Sequence, residues 1–489
     1  MALCQVLSVL LQFLGSVVLA RHVTPEEMGI YAVAAAAVGL LALIQAFGLQ
    51  SLIVREEVLT EGLVRTAFTV NLVLNLVLVV GTAALGYVGG RALGDERVRT
   101  VILALALTPL FGILDFLPSA QLERAGRFKA LSIAGVVSGA MGAVVTATSA
   151  VAGARYMTAV YAGWASAGTY AALVNIVGRR HVRLGLGVEQ WRRTANFGLQ
   201  VFLTSGMHAI GGRLSDIALG RLQGLAALGV YNRAGSLNGL LWNNVHLAIG
   251  RVMLVDFADL HRQGRSLRER YIATVDVITA LLWPAFAGLA ILAGPLIEVI
   301  YGERWTSAAL PMSLLALASI VSVSITMTWE VFTATGNLAV QTRMEFYNAV
   351  IGTLAFIAGG WFGILGAAAS RVVSAALAVL VYRRHLNRMT DTRSSDFVGV
   401  YARSAGLTLL SSLPPLALML AYGFSPKAPL GLVLASVVAG LVFWSVGVVV
   451  LRHRILGEVS DVLARLGRNL SAGRPRPAPG SLDASGRIL

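Results

Sequence analysis

About fourteen apolar stretches, each long enough to cross a bilayer, follow one another along this chain with short polar connections between them. A helix rises 1.5 Å per residue, so roughly twenty apolar residues span a hydrocarbon core about 30 Å thick. A helix in water needs only one apolar face, so repeated runs of this kind exclude a soluble globular fold. Composition agrees, with 56% hydrophobic and 13% charged residues and a mean hydropathy of +0.75. The sequence therefore predicts an all-α polytopic membrane protein. Its spans are 2–20, 29–54, 66–90, 100–119, 130–152, 156–178, 195–220, 229–256, 272–300, 308–334, 344–361, 363–381, 402–422 and 429–451. Val18-Leu19-Ala20 looks like a signal-peptide cleavage site, but no basic segment precedes the run and the run is too long, so the first span is expected to be retained.

The formal charge of +15 could suggest nucleic acid, yet the basic residues sit in short loops between spans with no basic face interleaved with aromatics. Cys4 is the only cysteine, which excludes an intrachain disulfide and a cysteine cluster for a metal. Lys and Arg in the loops set orientation. Loops 55–65, 121–129, 179–193, 257–271, 335–343 and 382–401, with the tail from 452, hold 26 basic residues against 8 in the opposite loops. Both termini are expected to face the cytoplasm.

The longest basic connection, "GRRHVRLGLGVEQWRR", divides the first twelve spans into two sets of six. A shift of 210 residues lays Leu105, Ala106 and Leu107 on Leu315, Ala316 and Leu317, and Gly126 on Gly336. Two six-helix units entering from the same side would be parallel repeats. The expected organisation is an N-lobe over 1–178, a cytoplasmic linker over 179–193, a C-lobe over 194–385, two further spans over 386–452, and a tail over 453–489. Residues 454–470 of that tail have the spacing of a surface helix.

Charged residues inside spans are costly and mark functional sites by default. Arg371 lies about eight residues into its span; it either faces a cavity or pairs with Glu330 or Asp216. Arg213 and Asp216 stand three apart behind Gly211 and Gly212, as a broken helix lining water requires or as a local pair allows. The eighth span carries Arg233, Asn243 and Arg251, too polar to face lipid. Glu298 and Glu330 are candidates to couple a proton or sodium gradient. Asp115 and Asp276 are expected to be solvated, Asn71 and Asn75 to bond a neighbouring helix, and "GVVSG" (135–139) to pack closely. No phosphate loop, HExxH motif or paired carboxylates in a large loop point to an enzyme, and no cofactor is implied.

Several segments carry a resemblance: "LARHVTPEEMGIYAVA" (19–34), "AFGLQSLIVREE" (46–57), "LGVYNRAGSL" (228–237), "YGERWTSAALPMSLLAL" (301–317) and "FTATGNLAVQTRM" (332–344). In order and spacing the chain resembles Wzx-type polysaccharide flippases of the multidrug/oligosaccharidyl-lipid/polysaccharide exporter superfamily. The resemblance implies a V-shaped pair of six-helix lobes around a central cavity, plus two C-terminal helices. It also implies alternating access that carries an undecaprenyl-diphosphate-linked oligosaccharide across a bacterial inner membrane, with the polymerase of the same pathway as a candidate partner. Guanidinium groups suit a diphosphate because they bind it bidentately. Two other readings stand beside this one. A drug/cation antiporter of the same superfamily would favour acidic cavity residues, and a membrane-embedded glycan polymerase or ligase would need a larger outer loop.

Overall fold

The computed structural model describes residues 2–56, 59–93, 95–178, 185–451 and 453–455. All regular structure among them is helical. The chain first forms α1 (Ala2–His22), α2 (Pro25–Leu41), α3 (Leu49–Arg55), α4 (Glu61–Leu93), α5 (Glu96–Leu105), α6 (Thr108–Arg124), α7 (Phe128–Val151) and α8 (Thr158–Gly178). Next come α9 (Trp191–Gln223), α10 (Leu225–Arg262), α11 (Arg268–Ile291), α12 (Ala293–Tyr301), α13 (Ala309–Val323), α14 (Thr328–Ala334), α15 (Leu338–Gly360) and α16 (Gly363–Met389). The last two are α17 (Val398–Ala421) and α18 (Leu430–Val450). Among the described residues, nine helical stretches are long and apolar enough to cross a membrane. Polar residues keep α10, with its asparagines and arginines, outside that nine.

Local sequence explains where these helices begin and break. Thr24 starts α2 with a reciprocal cap: Glu27 N donates to Thr24 Oγ1 at 3.3 Å and Thr24 N to Glu27 Oε2 at 2.9 Å, with Pro25 in the first helical position. Between α13 and α14 the helix is interrupted at Ser324–Met327, and Met327 takes a left-handed φ of 60°. Carbonyls freed by such a break must find donors, because lipid offers none. Tyr401 Oη donates to Ser324 O at 2.7 Å, Arg383 Nη2 to the same oxygen at 2.5 Å, and Tyr271 Oη to Thr326 O at 3.3 Å.

Helix pairings recur along the chain. The contacts α1–α7, α7–α8, α6–α8 and α4–α6 reappear as α9–α15, α15–α16, α13–α16 and α11–α13. The 210-residue shift also carries over two turns. Gly126 (φ 67°) and Gly336 (φ 71°) end α6 and α14 with the same hydrogen bonds, Arg127 N to Leu122 O and Asn337 N to Phe332 O, each 2.9 Å. Gly153 (φ 78°) likewise corresponds to Gly363 (φ 89°).

The two series meet along α2 and α10. Their crossing is as close as backbones permit. A Cβ on Gly29 would lie 1.8 Å from Leu225 O, and one on Gly229 would lie 1.9 Å from Pro25 O. A second register of the repeat becomes visible here: "MGIYAVA" (28–34) lies on "LGVYNRA" (228–234) at a shift of 200.

Three expectations need correction. Helix α9 runs unbroken through Gly211 and Gly212. Added Cβ atoms on Gly135 and Gly139 would meet nothing within 4 Å, so the two glycines of "GVVSG" serve no close helix approach; Gly142, near Ser166 and the Ala162 carbonyl, does. Asp276 is not solvated but 1% exposed, with Arg403 Nη2 at 3.3 Å and His453 Nε2 at 3.2 Å. The expected surface helix over 454–470 lies almost wholly outside the described residues.

Candidate functional site

Five helices, α9, α10, α13, α15 and α16, line an open cavity of about 680 Å³, within the range of small-molecule sites. Its wall on α10 is one broad face of the helix: Tyr231, Asn232, Gly235, Ser236, Asn238 and Trp242. Opposite stand Ser319 and Ser322 on α13, Asn348 and Thr353 on α15, and Arg371 with Ser374 on α16. Arg371 carries the only charge among the described lining residues, and no carboxylate joins it. Hydroxyls, amides and one indole make up most of the remaining polar surface.

Arg371 is half-buried and held by neutral groups. Its Nη2 donates to Ser215 Oγ at 3.1 Å, its Nε to Tyr231 Oη at 3.5 Å, and its Cζ lies 4.4 Å from the Phe356 ring centre. Neither Asp216 nor Glu330 reaches ion-pair distance of Arg371, which lines the cavity. The Asp216 carboxylate lies in the electrostatic field of Arg213 and Arg371 and bonds neither.

The remaining candidates fall elsewhere. Arg213 is exposed and lies across Gly39 of α2, where an added Cβ would come within 2.7 Å of its Nε; it does not line the cavity. Arg233 is 5% exposed and points the other way. Its Nη1 donates to Ser16 Oγ at 2.7 Å, and its Cζ sits 4.6 Å from the Tyr301 ring and 5.2 Å from the Trp305 ring. Trp305 is fully buried and donates to Ala20 O at 2.7 Å. The segment beginning at Tyr301 thus forms an aromatic cage that ties α1 to α10, a fastening rather than a binding surface. Asn243 is exposed on α10 and outside the cavity wall. The side chain of Arg251 lies outside the described residues. Glu298 is half-buried on α12 with Oε2 unpartnered. Glu330 is 2% exposed on α14, beside His246.

Two groups that matter were not foreseen. Tyr231 and Ser215, which hold Arg371, look like ordinary span residues; the 200-residue shift that pairs Tyr31 with Tyr231 would have singled out the tyrosine. Arg383, counted with the loop cations, instead fastens the break before α14 and stacks 4.5 Å from the Phe397 ring. Asn71 and Asn75 behave as expected and bond within the helix layer, to Gly112 O and Gln45.

Among the described residues, an all-helical body with nine membrane-length stretches and a polar chamber among its helices defines an integral membrane protein of the transport type. The profile of the polysaccharide biosynthesis protein family matches residues 18–310, and the chain belongs to that family. It is similar to an uncharacterized membrane protein in the cps region of Klebsiella pneumoniae, 20% identical over 95% of this chain and 96% of that one. Similarity to the lipopolysaccharide biosynthesis protein WzxC of Escherichia coli is 22% over 65% of each chain. In fold it is similar to the lipid II flippase MurJ in an inward closed conformation, with a TM-score of 0.74 and 13% identity, over 93% of this chain and 99% of that one. The resemblance to Wzx-type flippases of the exporter superfamily is borne out.

Proposed function

We propose that this protein moves an undecaprenyl-diphosphate-linked oligosaccharide from the cytoplasmic to the periplasmic leaflet of a bacterial inner membrane, for exopolysaccharide or O-antigen synthesis. The observation that carries the reading is Arg371, an unneutralised cation on a cavity walled by hydroxyls, amides and an indole. A guanidinium in a partly dried site binds a diphosphate through charge-assisted hydrogen bonds, the hydroxyls and amides match a sugar, and the polyprenyl tail stays in lipid. The protein's own contribution is then binding and exposure, without bond making.

The proposal includes fourteen crossings, with an N-lobe over 1–178 and a C-lobe over 194–385 joined by 179–193 and meeting at α2 and α10. The two further spans lie in 386–452, and both termini are cytoplasmic. The recurring helix pairings and the paired glycine turns support two parallel units. Rocking about the close crossing at Gly29 and Gly229 would open the space between the lobes to one side and then the other, with the chamber, walled by C-lobe helices, on its edge. Arg213, lying across α2, would give the passage between the lobes a second cation. A proton or sodium gradient supplies the driving force, and the polymerase of the same pathway is the candidate recipient.

A drug/cation antiporter is the second reading. It is disfavoured by the cavity wall, which has no acid among its described residues to hold a cationic drug. The test is deletion of the gene with a leaflet-resolved assay of the lipid-linked glycan, complemented by wild-type protein or Arg371→Ala at matched abundance. Accumulation of the glycan on the inner leaflet in the deletion and in the Arg371→Ala strain is expected. Normal translocation with unpolymerised glycan would point to a polymerase instead, and full export by Arg371→Ala would remove the arginine from the mechanism.

A further inference from the structure

The cavity has two chemically different ends. Arg371, bonded to Tyr231 and stacked on Phe356, marks one of them. Trp242 marks the other; it stands eleven residues beyond Tyr231 on α10, about 16 Å along the axis at the helical rise per residue. Ser322 and Asn348 fall at the Trp242 end. Helix α13 runs beside α10 in the same direction, since Asn238 meets Met312 O and His246, further on, meets Glu330 of α14. Helix α15 runs back along α16, with Gly359 against Gly366 and Gly352 near Ser374, which places Asn348 one turn further from Arg371.

The hydrogen-bonding groups divide along the same line. The hydroxyls of Ser236, Ser319, Thr353 and Ser374 donate to backbone carbonyls. Asn232, next to Tyr231, is a free amide at the Arg371 end. At the far end Trp242 Nε1, Ser322 Oγ and the Asn348 amide have no hydrogen bond among the described residues. All three side chains are half-buried, so a ligand in the cavity can reach them. The indole is held in place: it packs on the large C-lobe core, and the His246 ring lies 8° from parallel to it with centres 6.0 Å apart. No charged side chain lines this end.

A braced aromatic face with a few unspent donors and acceptors around it suits one kind of ligand. The face of an indole carries the negative part of its quadrupole, and the C–H face of a pyranose is apolar and weakly positive, so the two stack. Hydroxyls around the sugar ring then meet the indole N–H, the serine and the amide. A carboxylate on that ring would lose water and gain no counter-charge. We propose that Trp242, Ser322 and Asn348 form a saccharide subsite that stacks an uncharged pyranose of the cargo. The diphosphate then lies toward Arg371 and the sugars run from it along α10. The inference rests on the transport reading above for the diphosphate, and adds the class of sugar and the side chains that select it.

The test is equilibrium binding to the full-length protein in lipid nanodiscs with a series of probes: undecaprenyl diphosphate alone, and the same lipid bearing one, two or three glucose rings. In wild type the affinity is expected to rise at least about tenfold once the added rings reach Trp242. Replacing the ring that brings the gain by glucuronic acid should remove it. Trp242→Ala should abolish the gain and leave the affinity for bare undecaprenyl diphosphate unchanged, which also shows an intact fold. Trp242→Phe should keep part of the gain, and Ser322→Ala and Asn348→Ala, which disturb less packing, should each reduce it about threefold or more. Arg371→Ala should weaken every member of the series by the same factor. No gain from sugar, an equal loss of bare and glycosylated probes in Trp242→Ala and Trp242→Phe, or an undiminished gain with glucuronic acid overturns the inference and leaves the diphosphate seat standing. Absence of binding by every probe in wild type overturns it together with the transport reading.

Discussion

The crossing of α2 and α10 offers the sharpest mechanical test. Alanine at Gly29 would place its Cβ 1.8 Å from Leu225 O, where ordinary contact begins near 3.4 Å, a shortfall of about 1.6 Å. The obstacle is a backbone carbonyl within a helix and cannot swing aside as a side-chain tip would. Overpacking of this kind costs typically about 1–3 kcal/mol, which shifts a two-state equilibrium by about 5- to 150-fold. Gly229→Ala meets Pro25 O at 1.9 Å and should do the same from the other helix. Spin labels on cysteines introduced at Arg155 and Phe362, both exposed in corresponding turns of the two series, report the separation once Cys4 is replaced by serine. Either glycine variant should enlarge the population with the longer distance, and Gly135→Ala, whose Cβ meets nothing, should leave it unchanged. Unaltered distance distributions in Gly29→Ala and Gly229→Ala would refute the idea that this contact defines one end state.

Arg371→Lys keeps the charge but loses the planar fork, so it should bind undecaprenyl diphosphate more weakly than wild type yet better than Arg371→Ala. For the alanine variant a loss of about 2–4 kcal/mol, or roughly 30- to 1,000-fold in Kd by equilibrium binding in nanodiscs, is expected. Trp305→Ala removes a fully buried indole, the bond to Ala20 O and one wall of the Arg233 cage. It should destabilise by about 3–5 kcal/mol, read as a large drop in Tm and in membrane abundance. In the connection before α5, the Arg97 guanidinium bonded to Asp95 holds that carboxyl below its usual range. Its contribution is therefore present above the unfolded-state value and lost as pH falls through the folded-state one. Asp95→Asn should flatten the acid side of the Tm-against-pH curve, with a loss near neutrality of about 1 kcal/mol.

Hydropathy made the helices readable because membrane length is imposed by lipid, and every expected span falls on one helix or on two in series. Arg371 was readable for the same reason: a solitary guanidinium deep in an apolar run has few places to go. What surrounds a charge was not readable. Arg233 seemed a cavity candidate beside Arg371, but its neighbours are rings that come from Tyr301 and Trp305, far along the chain. Asp276 seemed to be at a wet edge, since nothing local announces that His453 and Arg403 will cover it. A stripe of small residues such as 135–139 fixes how near a neighbour could come, not whether one does. The register through Gly29, Tyr31 and Ala34 lies at a different offset from the 210-residue shift and becomes visible only through the α2–α10 contact.

A guanidinium solvated by a serine, a tyrosine and the face of a phenylalanine has no salt partner among the described residues to surrender to an arriving anion. If the proposed anionic cargo binds here, entry would be quick, because no existing pair must first dissociate. Departure would be quick as well, since one cation grips a diphosphate far less firmly than a full ring of them would. Such a seat favours short dwell times over tight capture, and a second arginine engineered into this wall would be expected to slow export by holding its passenger too long.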